Sequence, residues 1–161
     1  MTSRATFLLL AAACQSTAPG DVAAPADSAQ GETAFELAGP DGAAILVPVT
    51  VNGHGPFEFV LDTGATLTCI GQSLADSLEL PPLGTIGMGA GIGSSGRLRL
   101  VRFDSLRVSG ASAMELPGCA VDLRHIRELG LEAHGLLGLN FLKSFRVTLD
   151  FDRSVLILQR P

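Results

Sequence analysis

The stretch "FEFVLDTGAT", Phe57 to Thr66, ends an apolar alternation in a carboxylate. Successive side chains of a strand point to opposite sides, so Phe57, Phe59 and Leu61 share one face while Glu58, Val60 and Asp62 share the other. Asp62 therefore points away from the Phe face, and Thr63 and Gly64 follow at once as small residues suited to a tight turn. Such an acid reads either as a turn former or as a group that takes a proton from water. The second role needs a partner that donates a proton. Two carboxylates held close can supply both, because they cannot both ionise at short separation and so share one proton. The chain has one Asp-Thr-Gly and no second Asp-Thr-Gly or Asp-Ser-Gly.

Other chemistry-bearing side chains carry weaker patterns. Ser73, Ser77 and Ser105 have no G-x-S-x-G context, which removes support for a serine nucleophile. His54, His125 and His134 are scattered, without a partner one helical turn away or a neighbouring Cys/Asp cluster, so they read as surface histidines and no metal site is expected. Asp150 and Asp152 fall on the polar side of an alternating strand end, where turn formation explains them better than catalysis. Cys69 and Cys119 could pair, but their apolar contexts, "TLTCIG" and "LPGCAV", favour buried free thiols. The glycine-rich run after Gly84 contains no GxxxxGK[ST] and precedes no helical pattern, so it is not a phosphate loop. No cofactor is implied.

The elements that must position Asp62 are mostly strands. With 161 residues, 47% hydrophobic and 17% charged, the chain is long enough for one domain with a real core, and its 19 glycines suit a strand-rich fold with many turns. Sixteen acidic and eleven basic residues give a net charge of −5 with no Lys/Arg cluster, which argues against nucleic acid as a partner. Ile45 to Val51 and Phe57 to Leu61 form two β runs around the turn signals Asn52-Gly53 and Gly55-Pro56, a hairpin delivering Asp62. Pro48 cannot donate a ladder hydrogen bond, so it belongs at an edge or bulge. "QSLADSLEL" predicts a short helix closed by Pro81-Pro82. "GTIGMGAGIGSSGRLRLVRF" predicts a hairpin whose outgoing arm alternates Arg with apolar residues, and "ASAMELPGCAVDL" a strand with a Pro-Gly turn. "RHIRELGLEAH" allows one helical turn. The last part holds an apolar run, a short helix around Leu139 to Phe145, and a closing hairpin through Asp152-Arg153-Ser154.

Taken in order, the apolar strand, "DTGAT", the glycine-rich hairpin, "GLLGLNFL" and the closing hairpin resemble the retropepsin-like aspartic proteases, specifically the single-domain bacterial members, over Phe35 to Leu158. The resemblance implies an all-β fold with one or two short helices, a closed barrel forming one lobe per chain. It implies an aspartic endopeptidase that hydrolyses extended polypeptides with a water activated by two aspartates. Because one chain has one such Asp, it implies a homodimer with Asp62 meeting its counterpart. Asp62 matches the catalytic acid/base. Thr63 matches the residue that hydrogen-bonds across the dimer axis, and Gly64 the glycine whose N–H orients the carboxylate. Gly84 to Arg97 match the flap, with Ile86, Gly87, Met88, Gly89, Ala90, Gly91 and Ile92 against substrate, and Leu136 to Gly138 match the apolar strand and glycine around the catalytic loop. A non-catalytic peptide-binding or scaffolding envelope lipoprotein of the same fold is the alternative reading.

At the N-terminus, Arg4, the apolar Phe7 to Leu10 and Ala11-Ala12-Ala13 read as a signal peptide over residues 1–13. Cys14 directly after the small residues resembles a bacterial lipobox, which implies a lipidated Cys14. Residues 14–34, rich in Ala, Pro, Ser and Gly, read as a flexible tether before a domain at 35–161. The expected location is the bacterial cell envelope, lipid-anchored and facing the periplasm from the outer membrane, or secreted or periplasmic if Cys14 carries no lipid.

Overall fold

The computed structural model describes residues 30–87 and 97–161. Within them lie β1 (Gln30–Ala34), β2 (Glu36–Ala38), β3 (Ala44–Val51), β4 (His54–Leu61), β5 (Cys69–Gly71), α1 (Gln72–Ser77), β6 (Pro82–Gly87), β7 (Arg97–Val108), β8 (Ala111–Val121), α2 (Arg124–Glu128), β9 (Gly135–Leu137), α3 (Leu139–Leu142), β10 (Arg146–Asp150) and β11 (Val155–Gln159). The signal segment, Cys14 and most of the tether lie outside the described residues. The tether boundary needs correcting at its far end: Gln30 to Ala34 pair with β11, and Gly31 is buried, so the folded part starts by Gln30.

The main sheet runs β2-β3-β4-β9-β5-β8-β7-β6, and an additional pairing of β3 with β7 closes six of these strands into a barrel. Closure removes the edges that an open sheet would leave unpaired. It also explains Pro48. Along β3, β2 covers Ala44 to Leu46 and β7 covers Thr50 and Val51, so only β4 neighbours Pro48, which sits beside the irregularity between Val49 and Val51. A missing N–H is tolerated there.

The barrel interior follows the alternation. Val47, Val49, Val51, Phe59, Ile70, Val101, Phe103, Leu106 and Leu137 are buried in one core with Phe141, Leu156 and Leu158. A second sheet, β1-β11-β10, brings Leu156 and Leu158 to that core. Glycines mark where two elements come closest. A Cβ at Gly135 would strike the Phe59 ring, and one at Gly118 would strike the Phe103 ring and come within 2.5 Å of the Thr68 carbonyl oxygen.

This close approach corrects one expectation. Pro117-Gly118 makes no turn: β8 runs straight through it, with Pro117 opposite Arg102 and Gly118 opposite Val101. The glycine is there to admit a phenyl ring. The cysteines are corrected too. Cys69 and Cys119 face each other in register on parallel strands β5 and β8, with Cα atoms 4.4 Å apart, and are joined as a disulfide. Apolar flanks did not distinguish a buried bridge from buried thiols.

Candidate active site

Asp62 leaves the end of β4. Its carboxyl is fixed by its own turn: Gly64 N–H donates to Asp62 Oδ1 at 2.8 Å, and Ala65 N–H donates to the same oxygen at 3.2 Å. Two amides on one oxygen hold the carboxylate plane while leaving Oδ2 without a hydrogen-bond partner among the described residues. Asp62 is partly buried, whereas Thr63 and Gly64 are exposed at the loop tip. Gly64 gives the carboxylate room, since a Cβ there would lie 3.2 Å from Asp62 Oδ1.

A strand from late in the chain supports this loop. β9 lies between β4 and β5, the two strands that the loop connects, and pairs in parallel with β4, placing Val60 beside Leu136 and Leu61 beside Leu137. The ladder extends by one more bond, Asp62 N–H to Leu137 O at 3.1 Å. Beyond β9, Leu139 N–H donates to Ala65 O at 2.8 Å and Asn140 N–H to Thr66 O at 3.1 Å. Gly138 permits that crossing, because a Cβ there would come within 2.5 Å of the Leu67 carbonyl carbon and oxygen. The apolar run expected to surround the loop, Leu136 to Gly138, is therefore its direct support.

Two residues that the sequence reading passed over complete the support. Thr68 is fully buried, and its N–H and Oγ1–H both donate to Asn140 Oδ1, at 2.8 and 2.9 Å. Gly138 N–H donates to Thr68 Oγ1 at 3.1 Å, and Asn140 Nδ2 donates to Pro117 O at 2.6 Å. The sequence signal was a polar residue at a core position of an apolar run, "TLTCIG", since a buried hydroxyl demands partners.

The flap positions divide. Ile86 and Gly87 end β6, which pairs antiparallel with β7 as the expected hairpin, and both are exposed. Met88, Gly89, Ala90, Gly91 and Ile92 lie outside the described residues. The hairpin's outgoing arm is fastened to α1 by an ion pair, Arg99 Nη1 to Asp76 Oδ1 at 2.7 Å.

The remaining candidates lie apart from this loop's hydrogen bonds. His54 and His125 are exposed on β4 and α2, and His134 packs its ring 5.7 Å from Phe57. Asp150 caps its own turn, accepting from Arg153 N–H at 3.0 Å. At the far end of β5, a cavity of about 190 Å³ is lined by Gly71, Ser73, Asp122 and Arg127 among others. Arg124 beside it, through side-chain and backbone hydrogen bonds, holds the Asp122 carboxyl below its usual range. That depression is smaller than the clefts that bury organic ligands and does not include Asp62.

With this geometry in hand, the relationships can be stated. The sequence profile of the aspartyl protease family matches residues 47–141, more than half of the chain. The chain belongs to the aspartyl protease family. The matched span begins in β3 and ends in α3, so it contains the Asp62 loop, the β6–β7 hairpin and β9. No curated protein matches this family member. Among solved structures, it is similar to a retropepsin-like aspartic protease from Rickettsia conorii, at 20% identity and a TM-score of 0.56, over 81% of this chain and 92% of the other. The retroviral protease-like domain of Ddi1 from Leishmania major aligns at 15% identity and a TM-score of 0.46, over 72% of this chain and 92% of that one. The aspartyl protease thus has the retropepsin-like fold that its motif order implied.

Proposed function

We propose that this family member is an aspartic endopeptidase that works as a homodimer. The observation that carries the reading is the Asp62 carboxylate, presented on an exposed loop tip by Gly64 and Ala65 N–H groups and braced by β9. One chain supplies one such acid, and a second copy supplies the other. Between the two, one ionised carboxylate takes a proton from water as its oxygen attacks the scissile carbonyl carbon, while the protonated partner gives its proton to the carbonyl oxygen. As the resulting gem-diol collapses, the second carboxylate takes back a hydroxyl proton, the C–N bond breaks, and the amine leaves with a proton from the first carboxyl. The exposure of Thr63 beside Asp62 supports its bonding across the two-fold axis of the dimer.

The substrate class follows from the face that Asp62 shares. Val60 and Leu136 stand side by side in parallel register on the outward side of the barrel wall, both half-buried. Their apolar surface favours hydrophobic side chains next to the scissile bond, on a peptide held extended under the β6–β7 hairpin.

The decisive experiment replaces Asp62 by Asn, which keeps the shape and the Oδ1 acceptor but removes the ionisable group. Cleavage of a quenched apolar peptide should disappear with melting temperature and dimer mass unchanged. Retained cleavage by purified Asp62→Asn protein would remove Asp62 from the mechanism. The lipid anchor at Cys14 belongs to the same proposal, placing the enzyme on the periplasmic side of the envelope. Cys14→Ser should move the protein from the membrane to the soluble fraction, and unchanged partitioning would dismiss the anchor.

A further inference from the structure

We infer that Thr68 and Asn140 are positioning residues for the Asp62 carboxylate, a role that rests on the proteolytic reading above. The Asp62 loop spans from β4 to β5, with Thr63 and Gly64 exposed in the single chain. Within one chain its support comes from beneath, where residues 137 to 140 bond to Asp62, Ala65, Thr66 and Thr68. Leu137 O takes the Asp62 N–H, Leu139 N–H and Asn140 N–H meet the Ala65 and Thr66 carbonyls, and Asn140 Oδ1 takes both donors of Thr68. The contacts at Thr68, with Gly138 N–H to Thr68 Oγ1 included, are those that use side chains. Asn140 is also tied on its other side to Pro117 O on β8, so it bridges the loop to the barrel wall. The bridge ends at Ala65, whose own N–H touches Asp62 Oδ1. A shift of the Thr68–Asn140 pair is therefore a shift of the carboxylate.

The Thr68 hydroxyl is used in both directions, donating to Asn140 Oδ1 and accepting from Gly138 N–H. Valine has nearly the same shape and can do neither. Thr68→Val would leave the buried Gly138 N–H and one lone pair of Asn140 without a partner, and the segment 138–140 would drift from the loop. Reaction geometry is sensitive to such drift: about 1 Å of misplacement can cost on the order of a hundredfold in rate. Neither side chain is part of the outward Val60–Leu136 face, so substrate binding should change little.

The test compares full-length wild-type, Thr68→Val, Thr68→Ser and Asn140→Ala proteins, with a quenched fluorogenic peptide carrying apolar residues around the scissile bond. Thr68→Val and Asn140→Ala should lose roughly ten- to a hundredfold in kcat with KM within about threefold. Amide exchange at Leu139 and Asn140, the donors to the loop carbonyls, should quicken about tenfold or more while the β3 and β4 amides keep their protection. Thr68→Ser, which restores the hydroxyl, should recover kcat to within a few-fold of wild type. Equal kcat in Thr68→Val and wild type would overturn the assignment, as would a serine variant no better than valine. Should the valine variant not fold, Asn140→Ala, altered at a partly exposed side chain, decides alone, and wild-type kcat there refutes the idea. Absence of cleavage by the wild-type dimer would sink the proteolytic reading, while the exchange comparison would still show whether the pair fixes the loop.

Discussion

At the scale of single residues, this site depends as much on what is missing as on what is present. Gly138 sits where the chain passes under Leu67, and its φ of −93° is open to any residue, so only the space is restrictive. Gly138→Ala must push its methyl into backbone that cannot rotate away. The cost expected is about 1–3 kcal/mol, a lowering of the melting temperature by several degrees. Because the displaced backbone is the loop itself, kcat should fall by more than the melting shift alone accounts for, as measured by peptide cleavage well below the transition. Alanine at Gly53, a turn position with nothing within 4 Å, is the comparison: its cost should come only from the positive φ of 80° and leave kcat untouched. Asp62 was legible in the sequence because strand alternation is local, and a carboxylate closing an apolar strand stands out. Thr68 and Asn140 were not, since their roles arise from a contact between residues 72 positions apart. Only the buried threonine left a trace, a hydroxyl in an apolar run.

At the scale of elements, the hairpins and short helices could be read, and the errors share a cause. Pro117-Gly118 looks like a turn to any local rule, yet the glycine answers to Phe103 on the neighbouring strand. Gln30 to Ala34 looks like tether, yet β11 gives those backbone groups partners. Closure of β3 against β7 likewise has no local signature. The cysteines follow the same logic, as two unremarkable residues that strand register brings opposite each other. Their bridge spans 50 positions and encloses α1 and the whole β6–β7 hairpin, so it removes much freedom from the unfolded chain. Opening a loop of that size by Cys69→Ala with Cys119→Ala should lower stability by about 2–4 kcal/mol. Thermal melting of the wild type with and without a dithiol reductant measures the same quantity. Identical melting curves, with both thiols alkylated before reduction, would mean that the bridge is absent.

For the whole molecule, the proposed homodimer would make assembly part of the chemistry. If each site needs two copies, specific activity must fall as the protein is diluted through its dimer dissociation constant, with light scattering and activity changing together. Mixing gives a sharper outcome. Asp62→Asn subunits exchanged into wild-type dimers should poison them, so that at a one-to-one ratio about a quarter of the dimers keep two aspartates. That follows from random pairing of equal partners with unchanged affinity. Activity proportional to the remaining wild-type chains would instead show that each copy acts alone.

The insertion of β9 between β4 and β5 also governs time. During synthesis the Asp62 loop emerges early, but the strand that seats it, and the Asn140 that fastens it, arrive only when most of the chain has been made. A ribosome-bound or truncated chain ending before Gly135 therefore carries the acid without its support. On the proteolytic reading, such a chain should not cleave peptide, because the order in which the strands appear leaves its acid unseated.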